Sequence, residues 1–560
     1  MCFTTLFCSI SLLLGVTEAA TASEWRKRTI YQIVTDRFAL DNNTGTNVTC
    51  DTSLRAYCGG SWRGVIKQLD YIQQLGFDAV WISPTAENVE VSEATTSSAG
   101  EAYLGYWTSN RTSTNAHFGF AEDLAALSDA LHARNMFLML DITVNNLATI
   151  VPPNSSTPPR ASVSANGAQQ FHPLCAISDQ SNQTEVEQCW LPADGVQRDL
   201  DGSENATAGV WFPDVNTEDV LVVKAVLDEA KAAIKASGAD GVRIGSVKHV
   251  RQDFWPDFRD AVGVFMLGEN GKQVVSDSVN YVDPYTAPGI MDAVFDYPTY
   301  YELKSAFSSS SGNLSALVDI VTEAQKSYEA GLMLTASFIE NHDLPRFANA
   351  TNDTALIMNA MAWPFIHDGI PVLYYGQEQG FKGGAQPENH EPLWPSQYAN
   401  TPYAQVVRAL NAARKSATAV NHFFLTTPMT FIDQSSPGLL AISKPPLLAL
   451  LTNGGSNTPA GSSWTAKRVY TANETLVDVL SCRRFVADAN GGVEVPVVGG
   501  MPQILLPTAA LDKNGTVCPG EGTGHDLLKS VSASPIRGHE YWWLRLGIVA
   551  VTMTWIQSSL

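Results

Sequence analysis

Short, uninterrupted apolar runs recur along the chain, each closed by polar or glycine residues and followed by a helix-like stretch. The runs are Phe77–Pro84, Met136–Asp141, Gly241–Gly245, Val264–Glu269, Leu334–Asp343 and Ile370–Gly376. Amphipathic stretches such as Ala121–Arg134 and Val220–Ser237 lie between them. Strands that are apolar throughout belong in a parallel sheet covered by helices. The number of such units over about 400 residues predicts an α/β fold of the (β/α)8 TIM-barrel type. A doubly wound sheet is the runner-up, but no Gly-x-Gly-x-x-Gly loop opens a helix after the first run.

Two regions depart from this rhythm. Residues 146–215 are rich in Ser, Asn, Pro and Gln, carry Cys175 and Cys189, and follow the run ending at Asp141. They read as an inserted B domain after the third strand. Beyond about residue 420, alternating Val/Thr/Leu-rich runs predict a C-terminal all-β sandwich over 421–518. The barrel is then assigned to 21–145 and 216–420, with 519–534 as a loose linker.

Both ends resemble processing signals. An apolar stretch from Leu6 to Val16, followed by Ala19, Ala20 and Ala22, has the shape of a secretory signal peptide (1–20), though without a basic start. Small residues around Ser530–Ser534, a short polar spacer and an apolar tail from Tyr541 to Ile556 resemble a glycosylphosphatidylinositol attachment signal at 535–560. A transmembrane anchor competes, but the charge-free run Leu546–Ile556 is short for a bilayer. Sequons at Asn42, Asn47, Asn110, Asn154, Asn182, Asn205, Asn313, Asn349, Asn352, Asn473 and Asn514 agree with secretion. The cysteines after the leader, Cys50, Cys58, Cys175, Cys189, Cys482 and Cys518, fall into three sequence-local pairs. Neighbour pairing is the expectation among fifteen connectivities. The expected location is the cell surface, on a lipid-anchored monomer.

Charge narrows the partner. With 35 Lys+Arg against 56 Asp+Glu, the net charge is −21. Nothing in that balance favours a nucleic-acid or polybasic membrane contact. An uncharged polymer fits better, although solubility alone also accounts for the charge.

In a barrel of this kind chemistry sits at the C-terminal strand ends. There the sequence places Asp141, Asn145, Arg243, Glu269, Glu340, His342 and Asp343. Opposed carboxylates in a cleft suit glycosidic bond cleavage, one protonating the leaving oxygen and another attacking or stabilising C1. Singly, a strand-end Asp is more often a cap or an arginine partner; the set together favours the chemical reading.

Six stretches, in order over nearly 500 residues, carry a specific resemblance: IYQIVTDRFA, YCGGSWRGVIKQLDYIQQLGFDAVWISP, LGYW, DGVRIGSVKHVRQDFWPDF, FIENHDLPRFAN and DGIPVLYYGQEQ. The chain resembles the fungal α-amylases of the α-amylase glycoside hydrolase family, and its tail resembles their cell-surface subgroup. The resemblance implies α-1,4-glucan as substrate and a structural Ca²⁺ held by Asn145, Glu187, Asp214 and the carbonyl of His249. That oxygen-rich set suits calcium. It also implies Glu269 as acid/base, Asp343 as the third carboxylate, and substrate contacts from Tyr106, Trp107, Arg243, Lys248, His249 and His342.

The match fails at one decisive position. The family motif D-G-x-R-x-D supplies its nucleophile as the last Asp, and here it reads Asp240-Gly241-Val242-Arg243-Ile244-Gly245. Asn146 and Leu104 stand where the family has histidines, and Gln386 and His390 where it often has Asp and Arg. Glycine forms no glycosyl ester. Asp240 is five residues away, roughly 16 Å along a strand, at the opposite barrel end. The expectation is a glucan-binding protein with strongly impaired hydrolysis. The alternative is a residually active α-amylase or 4-α-glucanotransferase of cell-wall α-glucan metabolism.

Overall fold

The computed structural model describes residues 20–41, 48–91, 100–151, 169–179, 181–190, 209–270, 279–329, 331–511 and 517–518. The expected leader as far as residue 19, the linker and the attachment signal lie outside the described residues, as do Asn42, Asn47, Asn154, Asn205 and Asn514.

Eight parallel strands close into a barrel in sequence order. They are β1 (Ile30–Gln32), β2 (Ala79–Ile82), β3 (Phe137–Ile142), β4 (Gly241–Ile244), β5 (Phe265–Gly268), β6 (Ala293–Phe295), β7 (Thr335–Ser337) and β8 (Ile370–Tyr374). Side chains alternate across a strand, so each strand feeds two cores. Ala79, Trp81, Met139, Phe265, Leu267, Ala293 and Phe295 pack together in the barrel interior. Val80, Ile82, Leu138, Leu140, Val242, Ile244 and Met266 pack outward with the helices. Trp25 plugs the lower end, stacked on Phe265 at 5.0 Å and donating to the carbonyl of Asp240. Gly241 makes room for it, since a Cβ there would sit 2.7 Å from the indole.

The barrel expectation holds, with two strands added and one shortened. β1 and β6 have three residues each, too few for a periodic signal. The run Leu334–Asp343 contributes only Thr335–Ser337 to the sheet.

The inserted region follows β3. It contains a strand pair, Thr149–Val151 with Gly209–Trp211, and the helix Gln183–Gln188 closed by the Cys175–Cys189 disulfide. Cys50–Cys58 and Cys482–Cys518 are the other bridges, so the cysteines pair with their neighbours. At the C-terminal end a six-stranded antiparallel sheet faces the two-stranded sheet Ser463–Ala466 and Val493–Pro496. Leu448, Leu450, Trp464, Val495 and Leu505 fill the space between them. Among the described residues, no helix is long and apolar enough to cross a membrane.

Candidate active site

Strand parity builds the site. Asp141 on β3 lies in register with Arg243 on β4, and Arg243 with Leu267 on β5. Met139, Phe265 and Leu267 face inward, and so do the residues two steps further along their strands. Asp141, Arg243, Gly245, Glu269 and Tyr297 therefore line the upper end of the interior, Gly245 and Glu269 one inward step above Arg243.

Arg243, 2% exposed, is its centre. Nη1 donates to both oxygens of Asp141, at 3.0 and 2.8 Å. Tyr106 and Trp81 also donate to Asp141, at 2.6 and 3.1 Å. Nη2 donates to Glu269, whose second oxygen accepts the Tyr297 hydroxyl at 2.5 Å. Asn341 donates in turn to that hydroxyl at 3.0 Å. Burial works against the guanidinium, but Asp141 and Glu269 outweigh it and hold it charged. The Asp141 carboxyl is pushed up by burial, with Arg243 opposing.

His342 and Asp343 complete the rim. The Gln32 amide meets Nδ1 of His342 at 2.8 Å, and Nε2 lies 3.2 Å from Asp343. The His342 ring is stacked with Tyr106, centroids 5.1 Å apart.

Gly245 follows β4 and is half-buried. A Cβ built there would meet three atoms of Arg243 first: Nη1 at 3.0 Å, Cζ at 3.4 Å and Nη2 at 3.6 Å. Asp240 caps the opposite end, accepting from the Leu138 backbone and His132. It is out of reach of this layer.

Not every expected residue joins the cluster. Glu340 is a structural partner: it accepts from Arg346 and from the Phe347 backbone at 2.7 Å, and burial pushes its carboxyl up to about 7. Trp107 packs with Ala148, Val210 and Phe212 of the inserted region. Lys248 and His249 are buried on the turn Val247–His249, where His249 Nδ1 faces the carbonyl of Val186 at 3.1 Å. His390 is sealed between the Tyr103 hydroxyl and the carbonyl of His342, at 2.7 and 2.6 Å. Tyr297, Trp81 and Gln32 were missed as site residues. Parity from β6 finds Tyr297, but only once β6 itself is recognised.

The expected calcium ligands surround the root of the insert. Asn145 and Asp214 are joined by the Val215-to-Asn145 backbone bond at 2.8 Å. Asp214 Oδ2 accepts from His172 at 2.7 Å, while its buried Oδ1 has no partner. Gln183 donates both to Glu187, at 2.7 Å, and to the carbonyl of Lys248, at 2.8 Å, next to His249. No group of three His, Cys, Asp or Glu among the described residues is poised for a metal. A calcium ion here would draw on Asn145 and a backbone oxygen beside two carboxylates, and the buried Asp214 Oδ1 without a partner fits such an ion.

Comparison with known proteins agrees with this geometry. A family model for the α-amylase catalytic domain matches residues 32–400, and one for α-amylase domain C matches 437–524. The chain is 38% identical to α-amylase 1 of Lipomyces kononenkoae over 516 residues, covering 90% of this chain and 78% of that protein. It is 37% identical to the α-amylase of Saccharomycopsis fibuligera, covering 87% of this chain and 92% of that one. The solved structure of an α-amylase from Malbranchea cinnamomea superposes with a TM-score of 0.79 at 37% identity, covering 89% of this chain and 99% of the other. That of Geobacillus thermoleovorans, complexed with acarbose, has a TM-score of 0.68 at 25% identity, covering 86% and 98%. With family models matching residues 32–400 and 437–524 and relatives 37% and 38% identical over most of its length, this chain belongs to the α-amylase family.

Proposed function

We propose that the protein grips α-1,4-glucans in the barrel cleft and hydrolyses them poorly, because the position of the attacking carboxylate is Gly245. The observation that carries this is the surroundings of Gly245. The nearest groups are the Arg243 guanidinium atoms, and Arg243 turns to Asp141 and Glu269. No carboxylate stands at position 245 to form a bond with C1. Glu269, Asp343, His342 and Tyr106 remain as a polar and aromatic sugar-binding surface. The Geobacillus relative, solved complexed with acarbose, supports a sugar-like ligand for this chain.

The reading extends to calcium at Asn145, Glu187, Asp214 and the His249 carbonyl, and to a lipid-anchored protein at a fungal cell surface. Support for the first is the unpartnered Asp214 oxygen. Support for the second is the sequence of the two ends, together with exposed sequon asparagines at 182, 313, 349, 352 and 473.

The experiment compares maltooligosaccharide binding by calorimetry with hydrolysis, for the wild type and Gly245→Asp. The expected outcome is binding by both, negligible hydrolysis by the wild type, and a gain of several orders of magnitude in the variant. Wild-type turnover in the ordinary enzyme range of about 1–10³ per second refutes the reading and favours an active hydrolase or glucanotransferase.

A further inference from the structure

We infer that the same cleft builds α-1,4 bonds from a β-configured glucosyl donor carrying a small anionic leaving group; this rests on the glucan-cleft reading above. The gap at Gly245 is bordered by a cation. All three nearest atoms to a built Cβ belong to the Arg243 guanidinium, and the position is open enough to be only half-buried. A small anion there meets a planar, charged hydrogen-bond donor.

Glu269 occupies the adjoining strand end. The Glu269 backbone N–H donates to the Ile244 carbonyl at 2.8 Å, which places residue 269 beside residue 245 across the β4–β5 pair. Its carboxylate is oriented by Arg243 and by Tyr297.

In double-displacement glycosidases the nucleophile and the acid/base act on opposite faces of C1. Here the first face is open and the second is equipped with a base. A donor whose leaving group points to the β face fits its anion into the gap. The C1–X bond breaks and X departs with its electron pair beside Arg243. The acceptor 4-hydroxyl oxygen bonds to C1 from the opposite face, and its proton passes to Glu269. Configuration inverts from β to α, and no oxidant or reductant is needed. Without a carboxylate at 245 the new α-linkage is not attacked again, so elongated glucan accumulates.

The test incubates the whole chain with β-maltosyl fluoride and p-nitrophenyl α-maltoside, following fluoride release and chain length by mass spectrometry. The expected result is p-nitrophenyl maltotetraoside, with fluoride released about a hundredfold or more above the protein-free rate. Gly245→Asp, which fills the gap, is expected to lose this transfer. Glu269→Gln, which removes the base, is expected to lose it as well. Glucan binding without acceptor-dependent fluoride release or elongation overturns the inference and leaves the binding cleft standing. Absence of binding and transfer together overturns the cleft reading and this inference with it.

Discussion

Ser246 sits at a φ of 57° while Gly245 lies outside the left-handed region, so the backbone itself does not require glycine at 245. The loss of a side chain there acts on Arg243, which is left to Asp141 and Glu269. A second residue, His390, is diverted from the cleft in a different way. It is fully buried, its imidazole bonded to Tyr103 and to the His342 carbonyl. Burial pushes it down to about 3; the bond to the His342 carbonyl opposes this, while His342, Arg346 and Arg37 add to it. The fold therefore keeps His390 neutral, whereas the unfolded chain takes up a proton near the ordinary value of about 6.5. Its contribution to stability is complete above that value and is lost as pH falls toward 3. His390→Gln, which donates and accepts in the same place without titrating, should gain about 2 kcal/mol on the wild type between about pH 8 and pH 5. Denaturant unfolding of both proteins at the two pH values measures this, and parallel pH profiles would show that His390 does not carry the effect.

At the scale of elements, what was legible in the sequence followed from length. The longer apolar strands, β2 to β5 and β8, announce themselves, and their ends mark Asp141, Arg243 and Glu269. β1 and β6 are too short to register, so Gln32 and Tyr297 stayed hidden although both touch the site. Glu340 looked the same as Asp343 in sequence. Only the fold reveals that Arg346 lies against one and the cleft rim holds the other. Arg111 was equally silent. It lies on the strand Thr108–Thr114 and donates to the carbonyls of Thr143, Val144 and Asn146, at 3.1, 2.8 and 3.1 Å. One side chain thus braces the whole segment between Asp141 and the insert. Burial pushes its guanidinium down to about 10, still charged at neutral pH. Arg111→Met leaves those carbonyls without their donor, at about 1–3 kcal/mol for each buried group left unsatisfied. Hydrogen exchange should show residues 143–148 opening faster in the variant while β2 and β3 keep their protection. Unchanged exchange in that segment would mean that the brace does not hold it.

Across the whole molecule, the C-terminal sheets are fastened to the barrel by buried polar groups as well as by apolar packing. Asn359, on the helix Thr354–Ile366, donates to the Gly500 carbonyl and accepts from the Thr452 backbone, both at 2.8 Å. Asn453 reaches back to the Gly312 carbonyl at 2.7 Å. The charged member of this seam is Asp368, which takes donors from Lys444, from the Met429 backbone at 2.8 Å and from Gln325 at 2.9 Å. Lys444 and Asp368 are both essentially inaccessible to solvent. In such a pair the attraction and the cost of dehydration nearly cancel, so the pair adds little net stability. Removing one partner strands the other, which typically costs about 3–5 kcal/mol. Lys444→Met should therefore lower the melting temperature sharply in calorimetry. Asp368→Asn combined with Lys444→Met should recover most of the loss, because neither member of the pair is then left charged without the other. If the double variant melts no higher than the single one, the seam depends on the ion pair itself, and barrel and C-terminal sheets are joined by charge more than by packing.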